Sequence, residues 1–159
     1  GMVNAVYNQA DMTLVVLDNS TTAMTGHQPH PGTGKTMMGQ VVDKVSIEET
    51  LHGIGVKTVE TVNPLRLKEA INCIKRVAAQ PGVKAIIFKS PCAVLIKSGK
   101  PAEIAADKCI QCKKCIRTLG CPGIILQDGK VQIEQALCTG CGLCAQVCPT
   151  NAIGGACHA

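Results

Sequence analysis

Cys109, Cys112 and Cys115 stand with two residues between neighbours, and the same spacing returns at Cys138, Cys141 and Cys144, displaced by 29 residues. Each triplet leads to a Cys-Pro pair, Cys121-Pro122 after the first and Cys148-Pro149 after the second. Two-residue spacing lets three sulfurs of one tight segment face a common centre while backbone N–H groups stay free to point at them. A remote fourth thiolate then closes the shell. The chemistry open to such a set is metal ligation, and the repetition implies two centres.

The run C-x2-C-x2-C-x3-C-P is the bacterial ferredoxin pattern, in which the fourth Cys of each run ligates the other cluster. On that rule one [4Fe-4S] cluster takes Cys109, Cys112, Cys115 and Cys148, and the other takes Cys138, Cys141, Cys144 and Cys121. The repeat is imperfect at Cys121, which follows its triplet after five residues where Cys148 follows after three; Ile124 and Ile153 return to the 29-residue offset. Structural zinc also uses C-x2-C pairs, but four ligands arranged as two pairs suit it better than two triplets with distant partners. A disulfide scaffold needs a secretory context, and no signal peptide opens the chain. About 55 residues without large aromatic side chains can hardly build a core unaided, so the clusters are expected to hold this part folded.

The elements that position these residues fall into two parts. Only Cys73 and Cys92 precede Cys109, whereas nine of eleven cysteines lie from Cys109 to Cys157. The stretch Lys97 to Ala102 has linker composition, so the expected domains are 1–99 and 100–159. In the second, IILQDGKVQI reads as two strands around Asp128-Gly129, a pair suited to a type I′ turn. In the first, Met12 to Leu17 suits a buried parallel strand, and Ser46 with Glu49 forms a capping box opening a helix that ends near Gly53. Val56 to Val62 alternates like a strand. Asn63-Pro64 reads as N-cap and first position of a second helix, with Leu67, Ala70, Ile71, Ile74, Val77 and Ala78 as one apolar stripe. Val83 to Phe88 is the last buried strand. This order predicts an α/β layer with a mostly parallel sheet, followed by a small α+β two-cluster ferredoxin domain. Ligands of such sheets sit beyond the carboxyl ends of the strands, where Asp18, Asn19 and the following loop fall.

Composition narrows the function classes. With 46% apolar and 17% charged residues the chain is not disordered. Its net charge of +5 falls to about +1 if two clusters each bring about −2. With one Phe, one Tyr and no Trp, nothing stacks bases, and no nucleic-acid partner is expected. No apolar run approaches the roughly 20 residues of a membrane span; a cytoplasmic chain without a membrane partner is expected. Gly34-Lys35-Thr36 looks like the end of a phosphate-binding loop, but Pro29 stands where that motif requires Gly. His27 and His30 lie in the loop as diphosphate contacts or as loop-ordering residues. His52 reads as a solvated helix-end residue and His158, beside Cys157, as part of a frayed terminus. Cys73 reads as a small core residue, and Cys92 after Pro91 as the same.

The loop LDNSTTAMTGHQPHPGTG, with NAVYN before it, the strand-helix-strand ending in Ser90-Pro91-Cys92 and the double cysteine run, resembles the 2-oxoacid:ferredoxin oxidoreductases. Among these it is most similar to the large (alpha) subunit of the indolepyruvate-oxidising branch, over essentially the whole chain. The resemblance implies a partial thiamine-diphosphate-binding fold. Magnesium would be held by the side chain of Asn19 and the carbonyl of Thr21, with Met24, Thr25 and Gly26 against the thiamine. It implies an enzyme subunit that oxidatively decarboxylates arylpyruvates to aryl-acetyl-CoA with coenzyme A as acyl acceptor. Electrons would pass through the two clusters to an external ferredoxin, with a small (beta) subunit as partner.

The family also carries an upstream Gly-Asp-Ser/Gly motif, whose Asp is a further magnesium ligand, and a separate domain that activates the cofactor. Neither occurs in these 159 residues. The chain is therefore expected to be the C-terminal portion of a longer subunit, weak in thiamine and magnesium binding and inactive by itself. The rival reading is an electron-carrier ferredoxin module fused to a remnant α/β domain without thiamine chemistry.

Overall fold

The computed structural model describes residues 1–96 and 99–155. Two compact units divide the chain: Gly1–Pro64 with Lys68–Leu95, and Leu65–Leu67 with Ile96–Ala159. His158 and Cys157 lie outside the described residues.

The first unit contains α1 (Met2–Tyr7), β1 (Met12–Asp18), α2 (Ile47–Gly53), β2 (Thr58–Val62), α3 (Leu67–Ala78) and β3 (Val83–Lys89), with short 3-10 turns at Ala23–Thr25 and Pro31–Thr33. The sheet order is β1-β3-β2 and both pairings are parallel, with Val15 opposite Ile86 and Val59 opposite Ala85. The central strand β3 buries both faces, as an interior parallel strand does. Ala85 and Ile87 pack with Leu51, Val56, Leu14 and Val16 on one face, and Ile86 packs with Cys73, Val77, Val62 and Phe88 on the other. Edge strand β1 is covered unevenly. Val15 and Leu17 follow the register of Ile86 and Phe88, yet are 49% and 76% exposed. Lys84 is buried within β3, its ammonium group bonded to the Asp11 carboxylate.

Local signals hold in several places. Ser46 Oγ accepts from the Glu49 N–H at 3.1 Å and opens α2. Cys73 is buried, as its place on the helix predicts. Three expectations fail. Asn63-Pro64 does not begin α3, which starts at Leu67 after a turn; local N-cap chemistry is satisfied by a turn as well as by a helix. Ile71 and Ile74 of the predicted stripe are 40% and 42% exposed, because the sheet takes the narrower row Ala70, Cys73 and Val77. The linker reading of Lys97 to Ala102 also fails where it can be seen, Lys97 and Ser98 lying outside the described residues. Gly99 donates to the Thr139 carbonyl at 3.1 Å and Ala102 is buried in the second core.

The second unit runs β4 (Glu103–Ile104), α4 (Lys114–Leu119), β5 (Ile124–Gln127), β6 (Lys130–Ile133), α5 (Leu143–Val147) and β7 (Ile153–Gly154). The sequence repeat is a structural one. Ile104 pairs with Ile153 across β4 and β7, and 29 residues along, Ile133 pairs with Ile124 across β6 and β5. The hydrogen bonds repeat with the same exchange: Ala105 N–H to the Ala152 carbonyl at 2.8 Å, and Glu134 N–H to the Gly123 carbonyl at 2.9 Å. Asp128 and Gly129 both have positive φ, 50° and 75°, as the type I′ turn demands.

Candidate metal centre and cofactor loop

Each cysteine triplet is built in the same way. A tight turn places the first Cys N–H on a carbonyl four residues back, Cys109 on Ala105 at 3.0 Å and Cys138 on Glu134 at 3.1 Å. Two left-handed residues then curl the chain, Gln111 and Lys113 in the first turn, Gly140 and Gly142 in the second. At Gly140 the requirement is also steric, since a Cβ there would stand 2.6 Å from the Lys100 carbonyl oxygen. The third cysteine of each triplet lies in the following short helix and is buried, Cys115 in α4 and Cys144 in α5.

The first triplet meets its remote partner. Cys109, Cys112, Cys115 and Cys148 line one cavity, closed by Ile104, Ile110, Val131, Pro149 and Ile153 among others. The cavity has a volume of about 20 Å³. A group bonded to the sulfurs sits inside van der Waals contact, so the donor set, rather than the void, decides what fits. Four thiols, with no carboxylate or imidazole among the lining residues, suit an iron–sulfur cluster. Of the second set, Cys121, Cys138 and Cys144 belong to the apolar cluster that also holds Cys115 and Cys148, while Cys141 is outside it, and Gly123 lies so close to Cys138 that a Cβ would reach its Cα at 3.3 Å. Cys121 is two residues before that contact. Among the described residues, no three His, Cys, Asp or Glu side chains are gathered as a single ion would require.

The sulfurs also receive hydrogen bonds of the kind that offset charge on a cluster. Ala102 N–H donates to Cys138 Sγ and Ala152 N–H to Cys148 Sγ, both at 3.3 Å. The Thr150 hydroxyl lies 3.7 Å from Cys148 Sγ. By the repeat, Val131 N–H stands where Ala102 N–H does, but it donates to Gln111 Oε1 at 2.8 Å. The cluster-free thiols therefore differ. Burial pushes Cys144 up to about 11, with the neighbouring Cys141 and Cys138 adding to the rise. Burial likewise raises Cys115, next to Cys112 and Cys148. Burial would raise Cys148 too, but N–H groups of Thr150, Ala152 and Ile153 with the Thr150 hydroxyl outweigh it and hold the thiol low. Ligation requires thiolates, so loading this unit releases protons.

The loop after β1 is pinned to the segment after β3. Ser90 N–H donates to the Asp18 carbonyl at 3.0 Å and Cys92 N–H to the Asn19 carbonyl at 2.9 Å. Asp18 and Asn19 each accept, through side-chain oxygen, the N–H two residues on, at Ser20 and Thr21. Thr21 is buried, Thr25 Oγ1 donates to Gln28 Oε1 at 2.7 Å, Gly26 is left-handed, and Met24 is fully exposed. Asn19 and Thr21 thus offer a side-chain and a backbone oxygen, the hard donors magnesium takes, although the Asn19 amide oxygen already accepts one bond. Beyond the carboxyl ends of the strands lies a cavity of about 280 Å³, lined by Asp18, Thr61 and Lys89 with His30, Lys44 and Glu48. His30 orders the loop, its Nδ1 accepting from Gly32 N–H at 3.1 Å, and His27 is exposed with positive φ. His52 is not simply solvated, since its Nδ1 is 2.9 Å from the Val56 carbonyl. Sequence reasoning missed Gln28 and Gln111, whose roles come from backbone groups brought to them by folding.

Comparison with known proteins assigns both units. Residues 1–88 match the family described as thiamine pyrophosphate enzyme, C-terminal TPP binding domain, and residues 102–154 match the 4Fe-4S dicluster domain. The chain belongs to the thiamine pyrophosphate enzyme family and carries an iron–sulfur domain joined to that fold. Its relatives narrow this further. It is 43% identical over 158 residues to indolepyruvate oxidoreductase subunit IorA of Archaeoglobus fulgidus, covering 96% of this chain and 25% of that protein. Against the same subunit of Pyrococcus abyssi it is 38% identical over 161 residues, covering 95% and 25%. The second unit is also similar to pyruvate synthase subunit PorD of Methanothermobacter marburgensis, at 50% identity over 48 residues, covering 30% of this chain and 54% of that protein. The chain spans about a quarter of the length of the IorA relatives. No helix among the described residues is long and apolar enough to cross a membrane.

Proposed function

We propose that this chain is the electron-conducting part of a 2-oxoacid:ferredoxin oxidoreductase subunit of the indolepyruvate type. It acts with a small (beta) partner subunit and passes electrons to an external ferredoxin. The reaction takes one arylpyruvate and one coenzyme A to aryl-acetyl-CoA, carbon dioxide and a proton, and two electrons leave one at a time. Thiamine diphosphate, when bound, supplies the electron sink for the decarboxylation. Asn19 and Thr21 would hold its magnesium, and Met24, Thr25 and Gly26 would lie against it. Cys109, Cys112, Cys115 and Cys148 hold one [4Fe-4S] cluster; Cys138, Cys141, Cys144 and Cys121 hold the second.

The single observation that carries this reading is that Cys148, 33 residues from Cys115 in the chain, lines the same cavity as the first triplet. The test is Cys112→Ala in the assembled enzyme. Electron transfer to ferredoxin should be lost while thiamine binding stays within about twofold of wild type; loss of both would count against a separate conducting unit. The self-bonded Asn19 amide and the exposed Met24 favour a second reading, an electron carrier whose first unit holds no thiamine. Thiamine titration of the assembled enzyme separates the two.

A further inference from the structure

The two cysteine turns are alike in backbone and unlike in charge. Asp107 to Leu119 carries Lys108, Lys113, Lys114 and Arg117 against the one carboxylate of Asp107; the matching stretch, Ala136 to Cys148, carries no charged residue. Position for position, 29 residues on, the four cations become Leu137, Gly142, Leu143 and Gln146. All four cations are exposed, and none is in an ion pair among the described residues.

Two of the cations are tied to the thiol cavity or its turn. Lys113 lines it together with Cys109, Cys112, Cys115 and Cys148, and so does Ile110, which is 66% exposed. Arg117 Nη2 donates to the Cys112 carbonyl at 2.7 Å, which ties that positive group to the turn. An exposed apolar side chain on a turn that carries four exposed cations has the make-up of a docking surface: an apolar contact and charges that steer. The uncharged turn is treated differently. Gln146, the counterpart of Arg117, spends its amide on the chain itself, Nε2 donating to the Leu65 carbonyl at 2.7 Å and Oε1 accepting from Leu67 N–H at 2.9 Å.

We propose that the cation-bearing turn Lys108–Arg117 is the docking surface for an acidic iron–sulfur electron carrier, and that electrons leave this chain from the cluster held by Cys109, Cys112, Cys115 and Cys148. This rests on the iron–sulfur reading above. In each encounter one electron moves from that reduced cluster to the oxidised cluster of the carrier; no bond forms or breaks, and no proton transfers. A polyanionic nucleic acid would answer the charge alone, but the face offers no aromatic ring for a base.

The test uses the assembled, cluster-loaded enzyme and a strongly acidic bacterial-type ferredoxin. Calorimetry gives Kd for the oxidised carrier at low and high salt, and rates are taken with the carrier and with an uncharged dye. Lys108→Glu/Lys114→Glu should weaken Kd about tenfold or more at low salt and flatten the salt dependence, while dye reduction stays at wild-type rate. Lys130→Glu, the same kind of substitution at one position outside the turn, should leave both unchanged. If the glutamate pair fails to load clusters, Lys108→Gln/Lys114→Gln should give an intermediate Kd. An unchanged Kd in the loaded double variant, an equal loss in Lys130→Glu, or an oligonucleotide that binds as tightly as the ferredoxin and competes with it, would overturn the proposal. Absence of dye reduction by arylpyruvate in the wild-type enzyme would instead overturn the proposed function, and leaves the Kd comparison readable.

Discussion

The first unit buries Ile86, Val77 and Val56 to within 2% of full burial; in the second, Cys115 and Cys144 stand among the seven buried residues of the core. One unit closes its interior mainly with hydrocarbon, with Cys73 as a buried thiol among it. The other spends interior positions on thiols whose best partners are metal atoms. A Val or Ile gives its full transfer energy on burial; a buried thiol held protonated, as at Cys144, gives less until it is ligated. The difference teaches that the two units respond to separate perturbations, even though one chain encodes both.

The largest expected effect follows from removing the clusters. Chelation under air should abolish the protected amides of residues 99–155 while β1, β2 and β3 keep theirs, as read by hydrogen exchange. Equal loss in both units would break the comparison. A smaller effect is expected from the opposite change. Ile86→Ala should cost the first unit about 2–5 kcal/mol in denaturant unfolding, with the cluster absorbance near 400 nm unaltered. A fall in iron content would show that the two interiors are coupled.

The smallest effect is one of pH. The Lys84 ammonium holds the Asp11 carboxyl below its ordinary value by hydrogen bond and charge, and Arg76 does the same for Glu60. A carboxylate depressed in the folded state gives stability that is complete above its unfolded pKa, near 4, and lost as the pH falls through the folded value. Denaturant midpoints of the first unit should therefore hold level from pH 7 to about 5 and decline below about 4. Lys84→Met, which removes the buried ammonium, should flatten that decline.

Local residues made part of this legible. Ser46 as N-cap and Asp128-Gly129 as the hairpin turn act within a few residues, where backbone geometry leaves few alternatives, and both are found as expected. Ile71 and Ile74 show where such reading stops: helical periodicity gives a face about 100° wide, but the sheet opposite decides how much of it is covered. Lys84 was invisible for the same reason, since its alternation in β3 carries no sign that Asp11 will meet it. In the cofactor loop, the family resemblance pointed to Asn19 and Thr21, and the fold added Gln28, bonded to Thr25, and His30, bonded to Gly32, as residues that order the loop.

Sequence by itself determined the duplicated cysteine pattern, the two-part organisation, the parallel strands and the hairpin turn, because spacing, alternation and φ preference are properties of short stretches. Tertiary structure alone decided that Ala102 belongs to a core, and that Gln146 and Arg117 take different partners at matching positions. Those outcomes depend on contacts between residues far apart in the chain, Ile104 with Ile153 and Gln146 with Leu65, so no local stretch of residues encodes them.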